Sequence, residues 1–199
     1  MVTDEQLLAN YVRGDQSAFA DLVGRYQQEV FAFLARFVSD SSIAEDLFQE
    51  TFAQVHRSAK SFDADRRFRP WLFTIAANKA RDHLRSTGRR MVQSLDNVTV
   101  PGDATTFLDL MQSDAPPPHE ELSAAEETGR VQAILAELPP LYREVLLLSY
   151  FHQFPYKQIA EMLHVPLGTV KSRLHAALAI FAKRWEAAYG PRQNETGAR

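Results

Sequence analysis

A chain of 199 residues, 45% of them hydrophobic and none of them cysteine, can fill one large core or two small ones, and it excludes disulfides and thiolate metal sites. Its net charge of −3 averages four blocks of alternating sign: −6 over residues 1–56, +7 over 57–90, −8 over 91–140 and +4 over 141–199. Two basic blocks flanked by acidic ones offer two seats for a polyanion, which points to nucleic acid. The chain lacks the run of about 18 apolar residues that a membrane span needs, and its N-terminus is polar and acidic. These features predict a soluble, cytoplasmic protein with no membrane insertion.

From the N-terminus, Leu8, Val12, Phe19, Leu22, Val23, Tyr26, Val30, Phe33, Leu34 and Phe37 recur at steps of three and four, which predicts a helix pair broken near Gly14. Ser41 or Ser42 can cap the next helix, "IAEDLFQETFAQVHRSA". That helix sets Ile43, Ala44, Leu47, Phe48, Thr51 and Val55 on one face against Glu45, Asp46, Gln49 and Glu50 on the other. An acidic face repels DNA; by itself it reads equally as a solvated surface. Pro70 suits the first turn of a fourth helix, so residues 1–90 are expected to form a bundle of about four helices.

That fourth helix lies in "RRFRPWLFTIAANKARDHLRSTGRR", which holds eight basic residues and one acid. Stepped at 100° per residue, Leu72, Phe73, Ala76, Ala77, Ala80 and Leu84 share a core arc. Trp71, Thr74, Asn78, Arg81 and Arg85 form the opposite stripe, with Lys79 at its margin. An aromatic face to stack on, an amide to read a base edge and guanidinium groups to neutralise phosphate suit unpaired bases. Trp71 could equally pack against a neighbouring helix, and Asn78 could bond a nearby loop.

Residues 91–128 lose the periodicity and carry Pro-Gly, a triple proline and many acids, the composition of a flexible acidic linker. Helical pattern resumes over 129–188, and 189–199 read as a disordered tail. Within "PYKQIAEMLHVPLGTVKSRLHAALAIF" a short helix carrying Ile159, Ala160 and Leu163 meets a turn at Val165 and a longer helix from Leu167, a helix-turn-helix. Val170, Leu174, Ala177, Leu178 and Phe181 face inward. Gly168, Thr169, Lys171, Ser172, Arg173 and His175 are left for a major groove. The fold class is all-α, two helical domains joined by the linker.

"LPPLYREVLLLSYFHQFPYKQIAEMLHVPLGTVKSRL" resembles region 4 of bacterial sigma-70 factors of the small extracytoplasmic-function (ECF) group, and "AEDLFQETF" with "WLFTIAANKARDHLR" resembles their region 2. The resemblance covers both domains in order. It implies a dissociable subunit of RNA polymerase that recognises promoter DNA. Region 2 would read and melt the minus-ten element through Asn78, its neighbours on the stripe, and the preceding loop, including Phe62, Asp63, Arg66 and Arg67. Region 4 would read the minus-thirty-five element. Asp46, Leu47, Gln49 and Glu50 would meet the beta-prime clamp of core polymerase, region 4 its beta flap, and an anti-sigma factor would regulate the whole. The acidic linker would enter the polymerase as an RNA mimic, or serve only as a tether.

Three positions depart from the family pattern: Ala176 where arginine is common, Gln158 for a frequent glutamate, and Pro155 where serine or threonine often caps. The departure at 176 leaves the minus-thirty-five preference open. Two other classes remain: a sigma-like mimic that sequesters an anti-sigma factor, and an autonomous helix-turn-helix regulator. An enzyme is not expected, since the six histidines form no metal-ligand spacing and no phosphate-binding glycine loop occurs; neither metal nor cofactor is called for.

Overall fold

The computed structural model describes residues 2–88 and 121–190, with 121–128 as backbone. Most of the expected linker and the tail beyond 190 lie outside the described residues. Every regular element among the described residues is helical.

Helix α1 (Asp4–Val12) starts on a reciprocal capping box between Thr3 and Gln6. Gly14, at φ +112°, turns the chain into α2 (Gln16–Val38), whose first amides bond the Asp15 carboxylate. Val12 is 39% exposed, contrary to its place in the apolar repeat, because it is the last residue of α1 and the chain turns away there. Helix α3 (Ser41–Ser58) is capped by Asp40, not by Ser41 or Ser42, since Asp40 accepts from the amides of Ser42 and Ile43 at 2.9 and 3.1 Å. A 3₁₀ turn and a loop lead to α4 (Phe68–Ser86), which carries Pro70 in its first turn as expected. Its Arg67 N-cap offers no side-chain bond, and Glu5 of α1 supplies one instead, accepting from the Phe68 amide at 2.9 Å. That bond holds the Glu5 carboxyl below its usual range. Phe33, Phe37, Phe68, Phe73, Leu22, Leu34 and Leu72 fill the centre of this first half.

The second half starts earlier than its apolar repeat does. Helix α5 (Glu121–Glu137) begins inside the stretch read as linker, because "ELSAAEE" combines strong helix formers with acids that suit a helix N-terminus. Helix α6 (Pro140–Leu146) runs into a π turn (Leu147–Phe151), and α7 (Tyr156–Leu163) and α8 (Leu167–Tyr189) follow. One feature was not expected from a tethered pair: the two halves pack against each other, α2 on α5 and α6, and α4 on α7, with a continuous buried core.

Candidate nucleic-acid interface

Helices α7 and α8 form the helix-turn-helix. Ile159, Met162 and Leu163 bury the inner face of α7; His164, in left-handed conformation at φ 53°, ends it, and the Val165 amide bonds the Ala160 carbonyl at 3.0 Å. On α8, Val170, Leu174, Ala177, Leu178 and Phe181 are buried, as their phase predicts. Gly168, Lys171, Ser172 and His175 lie exposed along one stripe, with Thr169 and Arg173 half-buried at its edge. A Cβ at Gly168 would meet no atom within 4 Å, and the backbone there is not left-handed. The fold therefore gives no reason for glycine, which costs about 0.5–1 kcal/mol against alanine in a helix. Ala176 is buried, so in this arrangement its side chain faces protein and not the open face of α8. Pro155 stands at the N-cap of α7 without a side-chain bond, its carbonyl taken by the Ile159 amide at 3.0 Å.

The second cationic surface is the stripe of α4. Trp71 is half-buried, its indole 4.8 Å from the Phe62 ring and 5.9 Å from that of Phe68, while another part lines a surface groove with Arg66, Arg67 and Thr74. Trp71 thus packs against its neighbours with one part of its surface accessible. Asn78 is exposed and accepts a hydrogen bond from the Arg81 guanidinium. The Lys79 ammonium lies 3.1 Å from Glu50, Arg85 3.0 Å from Asp82, and Arg66 3.4 Å from Asp63. Exposed pairs of this kind are worth at most about 1 kcal/mol, so a phosphate can replace the carboxylate at little cost. The Thr74 hydroxyl is turned to its own helix and donates to the Pro70 carbonyl at 2.8 Å.

On α3, Asp46, Gln49 and Glu50 share an exposed acidic face. Leu47 does not belong to it: only 4% of its surface is accessible, and it packs in the core with Ala44, Thr51 and Val55.

Sequence reasoning missed the polar cluster between the halves. Arg69 of α4 bonds the Glu29 carboxylate of α2, donates to the His152 carbonyl at 2.9 Å, and stacks over Phe154 at 4.3 Å. The His152 ring nitrogen Nδ1 lies 3.2 Å from the same carboxylate, with the Phe33 ring at 5.5 Å edge-on to the imidazole and the Phe73 ring tilted at 4.8 Å. Burial alone would raise the Glu29 carboxyl, but the bonds to His152 and Arg69 and their charge outweigh it and hold it at about 2. Arg143 of α6 donates to the Phe37 carbonyl at 2.6 Å and the Ser39 hydroxyl at 3.0 Å, tying off the C-terminus of α2. Its neighbour Glu144 is fully buried, 3.3 Å from the Arg81 Nε. Neither Glu144 oxygen accepts a hydrogen bond of good geometry among the described residues. Desolvation therefore pushes its carboxyl up to about 7, against the attraction of Arg81 and Arg173. The signal lay in "LYREVLLL": adjacent opposite charges inside an apolar run must find partners when buried.

Among the described residues no group of three histidine or acidic side chains is placed to hold a metal ion, and no helix is long and apolar enough to cross a membrane.

Comparison with known proteins matches Sigma-70 region 2 to residues 8–90 and Sigma-70, region 4 to residues 128–180. The chain is 32% identical to the ECF RNA polymerase sigma factor SigW of Bacillus subtilis over 163 residues, covering 82% of this chain and 86% of that one. It is 36% identical to the RNA polymerase sigma-H factor of Pseudomonas aeruginosa over 175 residues, covering 87% and 89%. Among solved structures it is similar to CnrH in complex with the cytosolic domain of CnrY, with a TM-score of 0.66 at 26% identity over 92% of this chain and 97% of that one. The sigma factor RpoE in complex with the anti-sigma factor NepR from Bartonella quintana shares the fold, with a TM-score of 0.61 at 24% identity over 83% and 94%.

Proposed function

The chain belongs to the extracytoplasmic-function group of the sigma-70 family, and on that premise we propose how its surfaces divide the work of a promoter-recognising, dissociable subunit of RNA polymerase in the cytoplasm. The observation that carries the reading is the presence, on one chain, of two separate cationic surfaces of different chemistry. The α8 stripe of Gly168, Lys171, Ser172 and His175 is polar and helical, of a size to enter a major groove and read the minus-thirty-five element, with Thr169 and Arg173 at its flank. The α4 surface adds aromatic rings and an amide, which a duplex cannot use and separated strands can. There Trp71 and Phe62 stack, Asn78 reads the edge of a flipped base, and Arg66, Arg67, Lys79, Arg81 and Arg85 hold phosphates around Asp63 and Thr74. Stabilising flipped bases offsets a few kcal/mol of unstacking, so melting needs no nucleotide hydrolysis.

Asp46, Gln49 and Glu50 are the contact to a basic surface of core polymerase, the beta-prime clamp, with region 4 on the beta flap. The exposure of all three on α3, joined to the DNA face through the Glu50–Lys79 pair, supports this division. An anti-sigma factor is the expected regulator, a reading favoured by RpoE, which was solved with one.

Run-off transcription with purified core polymerase on genomic promoter fragments tests the function. Specific initiation dependent on this chain is expected. Its absence on every fragment, where a control sigma factor initiates, would overturn the reading.

A further inference from the structure

We propose that, in the free chain, the open groove between α2 and α5 holds the chain's own apolar run at residues 107–111, "FLDLM", which lies outside the described residues. This is independent of how α4 and α8 meet promoter DNA.

The groove, of about 580 Å³, is walled by Phe31, Ala32 and Ala35 of α2 and by Gly129, Ala133 and Ala136 of α5. Phe31 is 38% exposed in the interior of its helix. Every other large apolar side chain left so open among the described residues stands at an end of the chain or of a helix. A phenyl ring beside a row of small side chains leaves an apolar recess facing water, the kind of patch that marks a binding surface. Arg36 adds a cation: its guanidinium lies over the Phe151 ring and has no carboxylate within ion-pair distance among the described residues. The carboxylate that lines the groove, Asp40, is already bonded to the amides of Ser42 and Ile43. The recess therefore suits an apolar segment that carries an acid of its own.

Residues 89–120 contain such a segment. Phe107 is their only aromatic residue, and Leu108, Leu110 and Met111 surround Asp109. The tethers allow the return. The chain from Met111 to Glu121 spans at most about 33 Å, and the course of α5 sets Gly129 about 12 Å beyond Glu121. On the other side, residues 89–106 reach up to about 60 Å from Gly88. Held at both ends, the run meets the groove at an effective concentration of about millimolar, which favours it over a free partner of similar sequence.

The chain has no cysteine, so Gln112→Cys carries a single nitroxide spin label beside the run. Amide signals of the isotope-labelled, full-length chain are compared with the nitroxide oxidised and reduced, and folding is checked by circular dichroism. The amides of Ala32, Ala35, Ala133 and Ala136 should lose most of their intensity. Phe107→Ser/Leu110→Ser should restore them, as should Ala133→Asp, which puts a carboxylate on an exposed position of the groove wall. No loss at the groove, loss spread evenly over the surface, or loss that persists in either variant would overturn the proposal. So would loss at the groove when the nitroxide and the isotope are on different chains in a mixed sample, which would place the run on a second copy.

Discussion

Glu144→Gln isolates the energetic consequence of a carboxylate sealed between the halves. Burial raises the Glu144 carboxyl from 4.5 to about 7, so the folded chain binds this proton more tightly than the unfolded one. The stability it contributes is complete below pH 4.5, declines as pH rises towards 7, and is lost above that. At about 1.4 kcal/mol per pKa unit the loss amounts to about 3 kcal/mol for this group. Glutamine keeps the shape of the protonated acid and cannot ionise. Urea unfolding of the full chain at a series of pH values should therefore show the variant close to wild type near pH 4.5 and more stable at pH 8, by up to about 3 kcal/mol. Subtracting the two curves removes the titration of every other group. Parallel curves, or a variant less stable at pH 8, would refute the reasoning. Either result would mean that the Arg81 and Arg173 charges stabilise the ionised form at least as much as desolvation penalises it.

Asn78→Ala should impair open-complex formation, measured by permanganate reactivity of melted thymines, more than binding to core polymerase; equal losses would mark Asn78 as structural. Lys171→Ala should weaken binding to minus-thirty-five duplex and lower its salt slope by about one, read by anisotropy across a salt series. Glu29→Gln should cost about 1–3 kcal/mol at neutral pH by stripping Arg69 and His152 of a charged partner. Because the Glu29 carboxyl is depressed to about 2, the stability it adds is present above 4.5 and lost as pH falls towards 2, so variant and wild type should converge in acid. Phe73→Ala should cost about 3–5 kcal/mol in chemical denaturation, since the ring contacts Phe33, His152 and Phe154 at the seam.

Helical periodicity carries the internal faces of α2, α4, α7 and α8 because each buries a stripe whose spacing is local to the helix. It fails at Val12, where the helix ends, and at Glu121, where good helix formers lack the apolar repeat. The α8 stripe was legible for the same reason: its exposed residues are the complement of its buried ones. The fate of Arg81 was not, because a position on a helical wheel says which way a side chain points and not what arrives from sixty residues downstream. Leu47 shows the same limit from the other side, a residue assigned to a contact by family pattern that the packing of α3 withdraws. His152 meets the Glu29–Arg69 pair, and Arg143 the end of α2, only through the docking of the halves.

The bonds from Arg143 to the end of α2 make the first half a reporter on the second. Ser39 closes α2 in left-handed conformation, with its amide on the Ala35 carbonyl, and Arg143 holds the neighbouring Phe37 carbonyl from outside. When α6 leaves, that last turn loses its external anchor and frays. Hydrogen exchange at the amides of this one turn would then count how often α6 leaves, with no label and no DNA.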